Sequence, residues 1–155
     1  MWFKRQKIKV TTADLFAKTD LKLDLMSIDQ PNESWDLIVC NHVLEHVDDY
    51  KQALSEIHRI LKPNGTLIIS FPILDNLPTV IEETDHSEEN KAKRLKLYGQ
   101  VDHLRIFGAD SKQLLEKASF SVSLINGNRM PKAILPIVGH ADYDVNYLFV
   151  CKKLS

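Results

Sequence analysis

Three polar side chains stand where short apolar runs end. Asp14 closes Lys7–Ala13 (KIKVTTA), Asp24 lies near the end of Leu21–Leu25 (LKLDL), and Asn41 follows Asp36–Cys40 (DLIVC). In open parallel sheets, ligands bind in the crevice outside the carboxyl ends of the strands. A carboxylate there can accept hydrogen bonds from both hydroxyls of a ribose. Taken singly, Asp14 reads as a turn cap and Asp24 as a solvated loop acid; three such residues on consecutive strands point to a nucleoside-type site. Directly beyond Asn41, His42-Val43-Leu44-Glu45-His46 fits the H-x-x-E-H pattern. On a helix its two histidines would share a face and bind zinc, with Glu45 as general base. Here His42 follows an apolar strand directly and the helix signal begins only at Asp48. A zinc hydrolase is therefore the remote alternative, and no metal is expected. His86 among Glu82, Glu83, Asp85, Glu88 and Glu89 reads as a solvated charged face.

The elements that must hold these residues alternate along the chain. The three runs ending at Asp14, Asp24 and Asn41 read as strands, the third apolar throughout, as for a strand covered on both faces. Asp48 and Asp49 stand where a helix wants an N-cap and an acidic first turn. Tyr50, Ala53, Leu54, Ile57, Ile60 and Leu61 then keep a helical period up to Lys62-Pro63-Asn64-Gly65, which predicts the helix stop. Thr66–Phe71 (TLIISF) is a further strand, giving a βαβ unit and a largely parallel sheet. A charged insertion follows over about 73–105, helical only in its second half. Ala109-Asp110-Ser111 caps another helix carrying Leu114, Leu115 and Ala118. Phe120–Ile125 and Val145–Cys151 are the last strands; joined without a helix, they must be antiparallel neighbours. Residues 1–155 read as a single α/β domain.

Composition narrows the function classes. Among 155 residues there are 20 basic and 21 acidic side chains, a net charge of −1, which argues against a nucleic-acid or anionic-membrane partner. No apolar run approaches the roughly 20 residues of a membrane helix. Cys40 and Cys151 lie far apart in apolar surroundings and read as buried free thiols of a reducing, cytoplasmic compartment. Trp2 and Phe3 are expected to cover apolar surface. The five glycines, Gly65, Gly99, Gly108, Gly127 and Gly139, never fall within one GxG, so a nucleotide loop built on clustered glycines is absent.

Asp24-Leu25, then Glu33-Ser34-Trp35-Asp36-Leu37-Ile38-Val39-Cys40-Asn41-His42-Val43-Leu44-Glu45-His46-Val47, and then Ala53 to Gly65 (ALSEIHRILKPNG) together resemble the type 11 group of class I S-adenosylmethionine (SAM)-dependent methyltransferases. Trp35 replaces the group's usual Phe, and Asn64 its first Gly. The resemblance runs over about 7–125 and continues through Gly99–Arg105. It implies a Rossmann-like, mostly parallel sheet with a C-terminal antiparallel pair, the first of the usual seven strands missing. It also implies SAM as cofactor and methyl transfer to an unidentified acceptor. Asp14 would bind the ribose, Asp24 and Leu25 would flank the adenine, and Asn41 and His42 would approach the methionine part. His103 and His46 become candidate general bases for a hydroxyl or amine acceptor; for His103 the competing expectation is a neutral core histidine or a partner of Asp102. The group's first strand lies centrally, between the second and fourth. Without it, the Lys7 strand is expected to pair directly with the Asp36 strand, or a second copy to complete the sheet as a homo-oligomer. The glycine-rich loop would have to begin before Met1, so a non-catalytic or truncated methyltransferase-like module that binds SAM weakly or not at all is the alternative.

Overall fold

The computed structural model describes residues 8–74, 76, 77, 79, 81, 82, 87–127 and 147–154. Its first strands are short. β1 (Ala13–Asp14) pairs in parallel with β2 (Leu21–Lys22), flanked by bonds from Leu21 N to Thr12 O and Leu23 N to Asp14 O. The alternation of KIKVTTA and LKLDL overstates both strands, because neighbouring acids bend the chain. Asp14 Oδ1 accepts from the amides of Phe16 and Ala17, and Asp24 Oδ1 from that of Met26.

β3 (Trp35–Asn41) and β4 (Leu61–Ser70) are parallel, in register from Leu37–Thr66 to Asn41–Ser70. Helix α1 (Tyr50–Ile60) connects them. Asp49 caps it, accepting from Lys51 N and Gln52 N, which satisfies two of the helix's free amides. Tyr50, Ala53, Leu54, Ile57 and Ile60 form its buried stripe. The helix ends at Leu61, where ψ turns to 135°, one residue before the expected stop signal. Lys62–Gly65 form an irregularity within β4 itself: Asn64 takes φ 61°, and a Cβ on Gly65 would stand 2.8 Å from Lys62 O.

The segment after β4 carries β5 (Ile81–Glu82), α2 (Lys91–Tyr98) and β6 (Arg105–Ile106), with β5 and β6 antiparallel. Gly99, at φ 75°, ends α2 in the left-handed conformation. Buried Arg94 ties the helix to its flanks through Val101 O and Ser87 O. Helix α3 (Ser111–Lys117) leads into β7 (Phe120–Asn126), and β8 (Tyr147–Lys153) lies antiparallel between β7 and β4. The main sheet thus runs β3-β4-β8-β7. Its core gathers Leu54, Ile57, Leu67 and Ile69 with Phe71, whose ring lies 4.0 Å from Phe107 and 5.5 Å from Phe149.

Two expectations fail here. β1 pairs with β2 and not with β3, so among the described residues the outer edge of β3 meets no strand. The apolar run of β3 is covered on one face only: Cys40 is buried, whereas Leu37 and Val39 on the opposite face are 43% and 55% exposed. Among the described residues no strand lies beside β3 and no element packs over the face that carries Leu37 and Val39. Trp2, Phe3, the basic residues Lys4, Arg5 and Lys7, His86 and its neighbours Glu83 and Asp85, and the loop containing Pro131, Pro136 and Gly139 lie outside the described residues. No helix among the described residues is long and apolar enough to cross a membrane.

Candidate active site

The segment leaving β3 is a tight turn, not a helix, so the H-x-x-E-H residues do not take the i, i+4 arrangement of a zinc peptidase. His42 sits at φ 53°, a conformation that a non-glycine residue keeps only where its surroundings hold it. Its amide donates to Ser70 O (2.9 Å), and the Ser70 hydroxyl donates to Asn41 Oδ1 (3.1 Å). The carboxyl ends of β3 and β4 are thereby joined, with Asn41 and His42 both exposed.

Reversal of the chain at His42 carries Glu45 inward. Its side chain is 1% exposed, and neither carboxylate oxygen makes a hydrogen bond. His42 Nδ1 stands 3.3 Å from Oε1; this contact at hydrogen-bonding range, opposed by partial burial of the ring and aided by the charge of Glu45, raises the pKa of His42. Burial, and then the charge of Glu45, pushes the Cys40 thiol up to about 12, which leaves it an inert thiol. Cys151 is likewise buried and raised to about 12.

The segment before β6 closes against this turn. Leu104 N donates to Glu45 O at 2.8 Å. Arg105 is 1% exposed, and its guanidinium donates to the carbonyls of Leu44, Val47 and Asp48 while lying 5.2 Å from the Tyr50 ring. His46 and His103 meet edge to face, with centroids 4.7 Å apart. His46 Nδ1 lies 3.2 Å from Asp102 O and 3.4 Å from the Asp102 carboxylate. His103 is 2% exposed, with Nδ1 3.1 Å from Tyr98 O. Burial lowers the pKa of His103, and the neighbouring His46 lowers it further. His103 is thus the core histidine that the sequence left open, and the partner of Asp102 is His46.

The expected cofactor residues divide. Asp14 ends β1, and its Oδ1 holds the turn amides of Ala17 and Phe16, which lower its pKa. Its Oδ2 has no hydrogen-bond partner among the described residues. Asp24 follows β2 in a similar turn, while Leu25 is half-buried against the core. The structure brings His46 and His103 together; no hydrogen bond or ion pair joins Asp14 or Asp24 to that pair. Sequence reasoning missed Arg105 and the meeting of Glu45 with His103. A lone arginine within Leu104-Arg105-Ile106-Phe107 was the available signal for the first. A groove of about 550 Å³ between α1 and α3 contains none of these residues.

A parallel strand–helix–strand unit, an antiparallel C-terminal pair and polar residues at the strand ends define a Rossmann-like α/β domain. The chain belongs to the methyltransferase domain family, a family of class I SAM-dependent methyltransferases, whose model matches residues 2–123. It is similar to the demethylmenaquinone methyltransferase of Listeria monocytogenes, 36% identical over 70 residues, which are 45% of this chain and 30% of that protein. It also resembles the ubiquinone biosynthesis O-methyltransferase of Rickettsia typhi, 32% identical over 69 residues, 41% of this chain and 28% of that one. The matched segment thus spans less than a third of either relative. Among solved structures, the 1,6-didemethyltoxoflavin-N1-methyltransferase of Burkholderia thailandensis, with bound S-adenosylhomocysteine, superposes with a TM-score of 0.60 at 18% identity, over 99% of this chain and 65% of that one. The YcgJ protein of Bacillus subtilis gives 0.56 at 14%, over 99% and 76%. These likenesses show the fold.

Proposed function

We propose that the domain transfers a methyl group from SAM to an acceptor that binds beside His46 and His103. The observation that carries the proposal is the set of exposed polar atoms at the strand ends that no other described residue engages. Asp14 Oδ2 and Asn41 Nδ2 make no hydrogen bond among the described residues, and a carboxylate and an amide suit ribose hydroxyls and an amino-acid moiety. Asp14 and Asp24 would hold the nucleoside with Leu25 against its base, and Asn41 and His42 the methionine part. When bound, SAM supplies an activated methyl on a sulfonium, so the protein's work is alignment and exclusion of water. His46, partly exposed and held by Asp102, stands ready to take the acceptor's proton, while buried His103 packs edge to face behind it. The two buried free thiols support a reducing, cytoplasmic setting.

Calorimetric titration of S-adenosylhomocysteine into the purified chain tests this. Micromolar binding is expected, weakened about tenfold by Asp14→Ala, the loss of a charge-assisted hydrogen bond, with circular dichroism unchanged. A folded chain that takes up no S-adenosylhomocysteine would instead be a non-catalytic module, the alternative favoured by the open edge of β3.

A further inference from the structure

We propose that Glu45, His46 and His103 form a binding site for one divalent first-row metal ion of the zinc type. One potential ligand atom from each lies within 4.8 Å of the others. The two histidines are already oriented as ligands: Nδ1 of His46 faces Asp102 O and its carboxylate, and Nδ1 of His103 faces Tyr98 O. With Nδ1 donating outward, each imidazole presents the lone pair of Nε2, and the outer contacts fix tautomer and ring orientation as they do for metal-bound histidines. Glu45 supplies the charge. It is 1% exposed with both oxygens lacking hydrogen bonds, and among the described residues only His42 pairs with it. A buried carboxylate left in that state is costly, and a cation removes the cost. Two imidazoles and one carboxylate leave coordination positions open, the pattern of a reactive rather than a structural centre.

The three ligands come from the two segments that Leu104 N and Arg105 clamp together, so the site is assembled by the fold and not by the H-x-x-E-H spacing: His103 takes the place that His42 would have on a helix. Bonds of about 2.0–2.2 Å to zinc require the ligand atoms to close to roughly 3–3.5 Å from one another, a side-chain adjustment. Resting on the methyl-transfer reading, the metal would hold an oxygen of the acceptor and make it more acidic, the proton passing to water. His46 would then serve with His103 as a ligand, and the metal would take over from it the activation of the acceptor.

Cobalt(II), which reports its coordination through visible ligand-field bands, is the probe. The full chain, stripped with a chelator and titrated without SAM, is expected to bind one equivalent with the bands of a low-coordinate nitrogen–oxygen site. Glu45→Gln, nearly isosteric, and His46→Asn, at a half-exposed position, are each expected to abolish the bands while far-UV circular dichroism stays unchanged. A wild-type chain without bands, or bands of equal intensity in the folded His46→Asn variant, would overturn the site. Because the titration contains no SAM, its failure leaves methyl transfer standing, and loss of S-adenosylhomocysteine binding leaves the metal site standing.

Discussion

Arg105 does its work through backbone. Three carbonyls from the turn after β3 accept from one buried guanidinium, so the position of Glu45 and His46 depends on a residue that grips the turn by its backbone. Replacing it with Met keeps much of the volume but leaves those carbonyls without a donor. Arg105→Met is expected to lower stability by on the order of 3 kcal/mol, since unmet buried groups cost more than the lost bonds are worth. Urea unfolding measures it; a loss below about 1 kcal/mol would mean that the turn is held by its own packing. At this scale the sequence was half legible. Asp14, Asp24 and Asn41 do stand at or near strand ends, but the first two also serve their own turns. The pairing of His46 with Asp102 joins residues 56 apart in sequence, which no local spacing encodes.

Helix α1 was readable because its signals are local: an aspartate cap followed by apolar residues at helical spacing. Its far end holds a titratable group that the pattern did not flag. His58 packs edge-on against Phe120 at 5.2 Å. Burial lowers its pKa, and the nearby Lys153 of β8 lowers it further. Above its ordinary value near 6.5, His58 is neutral whether the chain is folded or not. As pH falls below that value the unfolded chain takes the proton first, so stability is lost from there down to the folded-state pKa. Thermal melts between neutral pH and about pH 5 should therefore show a steeper decline for the wild type than for His58→Gln. Parallel melting curves would show that this histidine carries none of the acid sensitivity. β1 and β2 were the least legible elements: two alternating runs reduce to two paired residues each, because alternation reports a face and says nothing of the partner strand.

For the molecule as a whole, the parallel β3–α1–β4 unit and the C-terminal antiparallel pair follow from the pattern of strands and helices, whereas the insertion of β8 between β4 and β7 and the outer boundary of the sheet did not. β3 offers an unpaired edge among the described residues, and its uncovered face presents Leu37 and Val39. Natural sheets protect such edges with charges, prolines or bulges because free backbone donors and acceptors invite another strand. Here Asp36 is the edge's one charged residue, and its carboxylate is already engaged by Lys62 at 2.8 Å. An apolar, unguarded edge beside a half-covered face is a surface for association, and a second copy of the chain can supply both the strand and the cover. Sedimentation velocity on the wild type is expected to show a concentration-dependent dimer. Val39→Lys, which places a charge on that face without disturbing the buried Cys40 side, is expected to shift it to monomer with an unchanged fold. A wild type that stays monomeric at high concentration, or a Val39→Lys variant that dimerises equally well, would show that the edge of β3 is not where copies of this chain meet.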